Sequence, residues 1–404
     1  MGINYWPRRS AMYMWERFDL GEIREDFARI RGLGMHVVRF FLSWERFQPE
    51  PSRIDRTALQ HLDGVMNALA DAGLLAMPTF FTGHMSGVNW LPAWTLDPAM
   101  PHGRFRTYAQ GRESPFGIGN FYTGELLCAQ RTHVRSVGER YRGHPALYLW
   151  DLGNEFSNLR EPDSPQQAAA WSATLTADLL ESSNIGVTAG THGEDITRER
   201  HIRPSTLCAP FACATMHGYP VYSAFARNRT DADVVPFLSQ LMQSCAHLPV
   251  LFSEFGNPGC PLGTVSPYDR VPLPGEPLRA TADLPIGAAP YACLTDDEMP
   301  AYARAVLERL HRAGALGAFW WCWADYAPAL AAEPPFDRAP HEMRFGIVDA
   351  DGQEKPIAAT LAQFANESRQ VLPAPPPIVD ERDFFTRLPT VLDDLYRDYC
   401  NQHP

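Results

Sequence analysis

Two glutamates in this chain each follow an apolar run and are flanked by polar residues. They are Glu155 in LYLWDLGNEFSN and Glu254 in LFSEFGNPG. Two carboxyl groups in one pocket can divide acid–base work when their surroundings keep one protonated and the other ionised. One then protonates a leaving oxygen while the other attacks or activates water, which is what cleavage of a glycosidic bond requires. The pair predicts such a site if the fold brings the two residues together.

Other polar and aromatic residues stand where predicted strands end. An amide beside the acid can hydrogen-bond a sugar 2-hydroxyl, and an arginine beneath the second carboxylate would help to hold it ionised. A tyrosine hydroxyl could position that carboxylate, and a tryptophan face suits the apolar face of a pyranose. The candidates are Arg39, His84, Asn154, His217, Tyr219, Trp320, Trp321 and Trp323.

Each candidate also has a purely structural interpretation. Asn154 and Glu155 could cap a following helix, and Glu254 could be an ion-pair partner at a strand end. Arg39 could pair with a core carboxylate, and the histidines and tryptophans could be ordinary core residues. The placement of all these residues at the ends of separate strands is what argues for a common pocket.

The elements that must position these residues alternate along the chain. Short β-branched or aromatic runs are separated by longer segments with helical spacing, a pattern that indicates a parallel sheet. Eight such units over about 365 residues predict a (β/α)8 barrel, in which the carboxyl ends of the strands face one pocket. A doubly wound sheet is the alternative, but no GxGxxG turn follows the first strand. The predicted strands are residues 2–5, 36–44, 74–81, 146–153, 185–189, 212–216, 250–255 and 316–323.

The barrel is predicted to occupy residues 1–370, with long loops at 82–124 and 256–295. These loops follow the third and seventh strands. Long loops around a barrel mouth can wall off one end of a cleft, which favours a pocket and exo action. A proline-rich break at 373–377 lies in the C-terminal segment, residues 371–404, which is predicted to be a short helical extension packed on the barrel.

The bulk composition narrows the classes of partner. A formal net charge of −12 argues against nucleic acid or an anionic membrane surface, because both attract basic faces. The N-terminal sequence has no pattern of an export signal and no apolar run is long enough for a bilayer, which predicts a cytoplasmic protein. The eight cysteines are then expected to be reduced thiols, and a Cys208–Cys213 bridge is the one pairing considered. The oligomeric state is left open, a homo-oligomer included.

Other chemistries find little support in the sequence. It contains no GxSxG elbow, no HExxH motif and no clustered set of histidine and cysteine ligands. His192, Glu194 and Asp195 in THGED could bind a metal, but an isolated loop cluster of this kind is usually solvated. We therefore expect no metal and no cofactor.

With these residues laid out, the chain resembles the clan A glycoside hydrolases, and glycoside hydrolase family 5 most closely. The resemblance covers residues 2–365 and rests on Asn-Glu at the end of the fourth strand and on the glutamate of the seventh. Two further stretches resemble clan members, SWERFQPEPSRIDRTALQHLDGVMNALADAGL and FGIVDADGQEKP, and the first is also similar to family 42 β-galactosidases. LGNEFSN departs from the Asn-Glu-Pro that family 5 often shows, so the turn after the acid is expected to differ.

The resemblance implies a role for each site residue. Glu155 corresponds to the acid/base and Glu254 to the nucleophile, which forms a covalent glycosyl-enzyme in a reaction that retains the anomeric configuration. The residues that match the family's pocket set are Arg39, His84, Asn154, His217, Tyr219 and Trp321, with Trp321 chosen over Trp320 and Trp323.

The resemblance also implies a substrate class, the β-linked sugars of small oligosaccharides and glycosides. The opening NYWPRRSAMYMW is similar to some exo-acting β-mannosidases of family 5, so exo-β-mannosidase is the leading hypothesis. β-Glucosidase, β-galactosidase, endo-β-mannanase or glucanase and transglycosidase are the alternatives. A non-catalytic carbohydrate-binding barrel is a further alternative, against which the two intact carboxylates argue.

Overall fold

The computed structural model of the chain describes residues 1–271, 284–367 and 369–403. The chain divides into two compact units. The first unit comprises Met1–Arg9, His192–Glu199 and Met216–Pro404, and the second unit comprises Ser10–Thr191 and Arg200–Thr215. Each unit contains about half of the strands of the main sheet.

The second unit contains the second to fifth strands of the main sheet. Strands Val37–Ser43 and Leu75–Thr82 pair in parallel, and Trp150–Asn154 followed by Val187–Gly190 continue the sheet on the far side of the third strand. The strands are buried along almost their whole length. Near-continuous burial is what parallel strands covered by helices require, and it explains their apolar sequences.

The first unit contains the remaining strands of the main sheet, Gly2–Tyr5, Ala214–Gly218, Val250–Phe255 and Gly317–Trp320, although Ala214–Gly218 begins at the end of the second unit. Gly2–Tyr5 pairs in parallel with Gly317–Trp320, which in turn pairs in parallel with Val250–Phe255. The pairing of these last two strands shifts register before Phe255, which lies next to the candidate nucleophile.

Eight parallel strands alternating with helices make the chain a (β/α)8 barrel, so the predicted fold class is confirmed and the doubly wound alternative is wrong. The helices that accompany the strands are Leu20–Gly32, Arg56–Asp71, Gly124–Arg140, Pro165–Ser183, Val234–Ala246, Glu298–Arg312 and Pro356–Asn366. Short helices are found at Trp44–Phe47, Gly193–Thr197 and Pro204–Leu207.

Several of these helices begin at a side chain that caps them. The Asp19 carboxylate accepts two backbone N–H groups of the helix that follows it. Asp55 and Ser164 each accept one in the same way. A capping oxygen satisfies donors that the first helical turn cannot pair internally. Caps of this kind fix the residues at which these helices begin.

The segment expected to be a long loop, 82–124, contains short strands of its own. Four of them form a small sheet and two form a separate antiparallel pair. Each strand spans only two to six residues and pairs with its near neighbours, so none of them shows the hydrophobic run of a barrel strand. They are His84–Met85, Val88–Trp90, Leu96–Pro101, Arg106–Ala109, Arg112–Ser114 and Phe116–Ile118.

The other predicted loop, 256–295, lies partly outside the described residues, at 272–283. Its described part contains a disulfide between Cys260 and Cys293, so the expectation of eight reduced thiols is wrong. The predicted candidate pair, Cys208 and Cys213, consists of free cysteines. A disulfide is typical of oxidising surroundings, so this one weighs against the reducing compartment predicted from the sequence.

Two helices, Glu381–Arg387 and Leu392–Gln402, lie in the C-terminal segment. Tyr396 and Tyr399 of the last helix both pack edge-on against Phe237, with ring centroids 5.0 and 5.4 Å away. Among the residues described by the structure, no helix has the length and apolar composition needed to cross a bilayer.

His133 lies in an aromatic part of the core of the second unit. Its ring is fully buried and contacts Phe47, Phe80 and Phe81. Neither ring nitrogen has a hydrogen-bond partner among the described residues. Burial disfavours the charged imidazolium and lowers the pKa of His133 to about 3. The folded protein therefore holds this histidine neutral at pH values where the unfolded chain would protonate it.

Because His133 is buried, we expect the stability of the folded protein to fall as the pH decreases. We expect His133→Leu to weaken this pH dependence. Between about pH 6.5 and pH 4 the unfolded chain binds a proton at His133 that the folded protein does not. Folding stability therefore falls with decreasing pH, by about 1.4 kcal/mol per unit for one such group. We expect His133→Leu to flatten this slope by about that amount in urea unfolding at pH 7.0, 5.5 and 4.5. The exposed His102→Gln is the control, and an equal slope in wild type and His133→Leu would contradict the assignment.

Candidate active site

A polar cluster in the second unit is built around a fully buried ion pair. Arg39 Nε donates to Asp151 Oδ2 at 2.8 Å, and neither side chain has exposed surface. The Thr79 hydroxyl donates to the same oxygen at 2.9 Å. Arg39 Nη2 donates to Asn154 Oδ1 at 2.9 Å, and Asn154 Nδ2 donates to the backbone oxygen of His84 at 3.0 Å. The buried guanidinium thus helps to fix the amide that precedes the candidate acid.

Backbone irregularities bring these groups together. The pairing of the fourth and fifth strands shifts register between Asp151 and Asn154, which changes the alternation of the side chains at the strand end. The fifth strand ends at Gly190, where a β-carbon would lie 2.4 Å from the oxygen of Gly153 and 3.0 Å from Arg39 Nη2. Only glycine allows the backbone to approach the guanidinium so closely.

Glu155 occupies the left-handed region of backbone space, with φ at 46° and ψ at 44°. Its N–H donates to the oxygen of Gly190 at 2.9 Å. Its Oε2 accepts from Asn158 Nδ2 at 3.0 Å and lies 3.7 Å from His84 Nε2. The carboxylate does not cap the short turn that follows it, and its side chain is 18% exposed. The helix-cap interpretation of Glu155 is therefore wrong.

His84 is held in an ordered hairpin rather than in a flexible loop. It begins the strand His84–Met85, which pairs antiparallel with Val88–Trp90. Its Nδ1 lies 2.7 Å from Asn89 Oδ1, and its ring lies 4.4 Å from that of Phe105. These contacts orient the ring so that Nε2 faces Glu155.

A second cluster, in the first unit, surrounds Glu254. The Tyr219 hydroxyl donates to Glu254 Oε2 at 2.7 Å, and His217 Nδ1 lies 3.5 Å from Oε1. All three residues are buried. A buried carboxylate is costly unless polar groups replace the water it has lost, and here each oxygen faces one such group.

A second layer of contacts orients Tyr219. Its ring packs edge-on against those of Phe345 and Tyr222, at 5.9 and 5.5 Å. The Tyr222 hydroxyl lies 2.5 Å from Glu342 Oε1 and 2.9 Å from His341 Nε2. Burial lowers the pKa of His341 to about 3, so its ring is held neutral. Tyr222 is thus the link between this buried polar pair and the tyrosine that contacts Glu254.

The first strand ties the seventh and eighth strands of the first unit together. Asn4 Nδ2 donates to the backbone oxygens of Ser253 and Trp320, at 2.9 and 3.2 Å. One buried amide therefore bridges strands on which Glu254 and the tryptophan run lie.

Trp320, the last residue of the eighth strand, and Trp321, which follows it, have different surroundings. Trp320 is a core residue: its Nε1 donates to Phe345 O at 2.9 Å and its ring packs edge-on against Phe255 and Tyr302. The backbone N–H of Trp321 donates to the oxygen of Phe255 at 2.8 Å, next to Glu254. The core interpretation is therefore confirmed for Trp320, whose indole is committed to these contacts.

The sequence analysis did not identify several residues that contact the candidate site residues. The structural interpretation of Arg39, a pair with a core carboxylate, is confirmed, but its partner was not identified as Asp151. Arg39 and Asp151 each interrupt an otherwise apolar run. Two opposite charges in buried strands could have indicated that they pair with each other. Asn158 could have been noticed because it follows Glu155 by three residues, within reach of a single turn. The other missed partners are Thr79, Asn89, Phe105, Arg200, Tyr222, His341 and Glu342.

The THGED cluster has a structural role at a helix start. The backbone N–H of His192 donates to Asp195 Oδ2 at 3.0 Å, and His192 is the N-cap of the short helix Gly193–Thr197. Its Nε2 lies 3.5 Å from Asp195 Oδ1. These are the contacts of a capping box, in which the two side chains are used within the turn.

Sequence comparison identifies similarity to β-galactosidases over the first part of the chain. The sequence model of glycoside hydrolase family 42, β-galactosidase, matches residues 12–181. β-Galactosidase LacZ of Heyndrickxia coagulans is 30% identical over 148 residues, which are 36% of this chain and 21% of that protein. The chain thus spans about a fifth of the length of this curated relative.

Structural comparison identifies similarity over nearly the whole chain. Exo-β-1,4-mannosidase Op5Man5 from Opitutaceae bacterium strain TAV5 has a TM-score of 0.70 at 24% identity, covering 90% of this chain and 58% of that one. A variant of GH5_18 from Streptomyces cattleya in complex with Manβ1-4GlcNAc has a TM-score of 0.76 at 20% identity, covering 98% and 90%. GH5_18 from Bifidobacterium longum subsp. longum has a TM-score of 0.70 at 22% identity, covering 93% and 80%. Similarity at this level of identity confirms the (β/α)8 fold.

The Arg39–Asp151 pair predicts a large loss of stability in Asp151→Asn. Removing one partner of a fully buried ion pair leaves the other charge without compensation, which costs about 3–5 kcal/mol. We expect that decrease in the free energy of unfolding measured by urea titration at pH 7. Asp71→Asn changes an exposed aspartate at a helix end and should stay within about 0.5 kcal/mol of wild type. Similar stability in both variants would show that Asp151 is not needed to hold the guanidinium.

Proposed function

We propose that the chain is a retaining glycoside hydrolase in which Glu155 is the acid/base and Glu254 is the nucleophile. The observation that carries the proposal is the pair of clusters, each of which holds one glutamate with hydrogen-bonding partners at the end of a barrel strand. In (β/α)8 enzymes the carboxyl ends of the strands form the active-site face. Glutamates that end the fourth and seventh strands are therefore suited to act on one sugar.

The proposed reaction has two displacements. In the first, a Glu254 carboxylate oxygen attacks the anomeric carbon while the bond to the leaving oxygen breaks and Glu155 gives that oxygen its proton. In the second, Glu155 takes a proton from water as the water oxygen attacks the anomeric carbon and releases Glu254. Because each displacement inverts the anomeric carbon, the two displacements together retain its configuration. The hydrogen bond from Tyr219 supports the ionised nucleophile, because a donor favours the charged form of a carboxylate.

The remaining candidates are proposed to bind the sugar or to orient groups that do. Asn154 commits one N–H to the oxygen of His84 and its Oδ1 to Arg39, which leaves its second N–H to donate to a sugar hydroxyl. Trp321 is proposed as the platform for the apolar face of the sugar. The proposed binding residues are Arg39, His84, Asn154, His217, Tyr219 and Trp321, and the mechanism uses neither metal nor cofactor.

For the sugar itself, we propose exo-β-mannosidase action on short β-linked mannosides. The support comes from the structural similarity to an exo-β-1,4-mannosidase and to GH5_18 bound to Manβ1-4GlcNAc. β-Galactosidase is the second candidate, because the family 42 model matches the part of the chain that contains Glu155 and three of the proposed binding residues. The two candidates differ at the sugar 2- and 4-hydroxyl groups, so a substrate panel separates them.

The proposal predicts that one p-nitrophenyl glycoside is hydrolysed by wild type and not by Glu254→Gln. The panel contains the β-mannoside, β-glucoside, β-galactoside, β-xyloside and α-arabinofuranoside, with Manβ1-4GlcNAc as a natural-type disaccharide. We expect the β-mannoside to be preferred and the variant to lose activity by several orders of magnitude, because the amide cannot form the covalent intermediate. Glu125→Gln, an exposed glutamate at a helix start, is the control. Equal turnover by wild type and Glu254→Gln would remove Glu254 from the mechanism.

Glu155→Ala is expected to lose activity on poor leaving groups by about 10²–10⁴-fold, because general acid catalysis is lost. A 2,4-dinitrophenyl glycoside needs no proton, so its first step should survive and the glycosyl-enzyme should accumulate. Azide should then restore turnover by attacking the anomeric carbon without base catalysis, yielding a β-glycosyl azide. An α-azide or no rescue would argue against a retaining role for Glu155. Adding acceptor sugars in the same assay separates a hydrolase from a transglycosidase.

A further inference from the structure

Tyr396 of the C-terminal segment packs with two phenylalanine rings of the first unit. Its ring lies 4.9 Å from that of Phe225 and 5.0 Å from that of Phe237, measured between centroids. The rings of Phe225 and Phe237 lie 5.7 Å apart. Each of the three pairs packs edge-on, an arrangement that aromatic rings favour. We call this set of rings, Phe225, Phe237 and Tyr396, the aromatic anchor.

The rings of the aromatic anchor come from three different elements. Phe237 lies in the helix Val234–Ala246, and Tyr396 lies in the last helix, Leu392–Gln402. Both of these side chains are buried. Phe225 lies in the loop that joins the sixth strand to the first of these helices, and several residues of that loop are exposed. The anchor therefore ties a partly exposed loop to two helices.

Short-range hydrogen bonds connect Phe225 to Tyr219, which begins the same loop. The N–H of Ala226 donates to the oxygen of Ser223 at 3.1 Å, and the Ser223 hydroxyl donates to the oxygen of Tyr219 at 2.8 Å. The N–H of Tyr222 donates to the same oxygen at 3.2 Å. These bonds form consecutive tight turns, so a displacement at Phe225 is expected to displace Tyr219 as well.

Polar contacts also hold the loop, but they involve exposed side chains. Arg227 Nη2 donates to Asp231 Oδ1 and to Asp233 Oδ2 at 2.5 Å each. Arg270 Nη2 donates to the backbone oxygen of Ala224. Both arginines are exposed, so water competes for their N–H groups and weakens these contacts. The aromatic anchor is therefore expected to contribute most to the position of the loop.

We propose that Tyr396 is a positioning residue for the nucleophile, because the aromatic anchor holds the loop where the Tyr219 hydroxyl donates to Glu254. This inference rests on the proposed role of Glu254. The hydrogen bond is 2.7 Å long, and such bonds weaken steeply when the distance or angle leaves the preferred range. A small displacement of the loop would therefore weaken the support of the carboxylate that attacks the anomeric carbon.

The first test measures kcat/KM on the glycoside that wild type hydrolyses. We expect Tyr396→Ala to lower kcat/KM about tenfold, because the hydrogen bond to a charged group is misaligned. Tyr396→Phe keeps both edge-on contacts and should stay within about twofold of wild type. Phe225→Ala removes a ring that is only partly buried, so it should show the same loss even if Tyr396→Ala is unstable. Unchanged activity in both alanine variants would overturn the proposal.

A double-mutant cycle separates an effect on Tyr219 from a general loss of structure. In Tyr219→Phe the hydroxyl is absent, so adding Tyr396→Ala should cost little further activity. Residues that act through the same contact show such non-additive effects, whereas independent residues do not. If Tyr396→Ala lowers kcat/KM by the same factor in wild type and in Tyr219→Phe, it does not act through Tyr219 and the proposal fails.

Tyr399 provides a matched control on the same helix. It is also buried, and its ring contacts in the described part of the chain are with Phe237 at 5.4 Å and His403 at 4.4 Å. Tyr399→Ala thus removes a buried tyrosine ring while all three rings of the anchor remain. We expect its kcat/KM to stay within about twofold of wild type. A loss equal to that in Tyr396→Ala would show that only the packing of the last helix matters.

A measurement without turnover separates this inference from the proposed function. Amide hydrogen exchange of the full chain, read by mass spectrometry, reports how often the hydrogen bonds of the loop open. We expect a peptide that covers Ser223 and Ala226 to exchange about tenfold faster in Tyr396→Ala than in wild type or Tyr399→Ala. If wild type hydrolyses no glycoside and exchange still accelerates, the hydrolase proposal fails and the anchor stands. Unchanged exchange in Tyr396→Ala would show that the anchor does not hold the loop.

Discussion

The guanidinium of Arg39 has no exposed surface and hydrogen-bonds the polar residues of the second unit around it. Much of the local structure follows from the need to compensate its buried charge. Taking such a charge out of water costs several kcal/mol, which only a well-aligned carboxylate and further acceptors can offset. Asp151 must therefore lie on the strand beside Thr79, and Asn154 must follow after a change of register. The requirement extends to Gly190, since any side chain there would collide with the backbone opposite.

The two glutamates are held by different means, and the difference suits the proposed division of labour. Glu254 is buried on a barrel strand, and its two carboxylate oxygens face a tyrosine hydroxyl and an imidazole. Glu155 is partly exposed on a turn, and its Oε2 accepts a hydrogen bond from Asn158. A nucleophile gains from immobility, whereas an acid/base must exchange protons with substrate and water in turn.

The barrel and the positions of both glutamates could be predicted because they depend on local sequence. An apolar run predicts a buried strand, and capping residues such as Asp19 and Ser164 mark where helices start. The contacts around the glutamates depend on residues far apart in the chain. Arg39 and Asp151 are 112 residues apart and Asn158 and Arg200 are 42 apart, and no periodic pattern connects either pair. The disulfide was missed for the same reason, because Cys260 and Cys293 are 33 residues apart and no pattern connects them.

The left-handed backbone at Glu155 has a consequence for how this chain can change over generations. A side chain in that conformation costs about 1–2 kcal/mol compared with glycine, which adopts it freely. Replacement of Glu155 by glycine would relieve that strain while deleting the carboxyl group. At this position, the residue that gives the less strained backbone differs from the residue that supplies the carboxyl group. Under the proposed mechanism, selection for activity keeps a glutamate there, and a copy of the gene released from that selection would drift towards a more stable barrel without the carboxyl group.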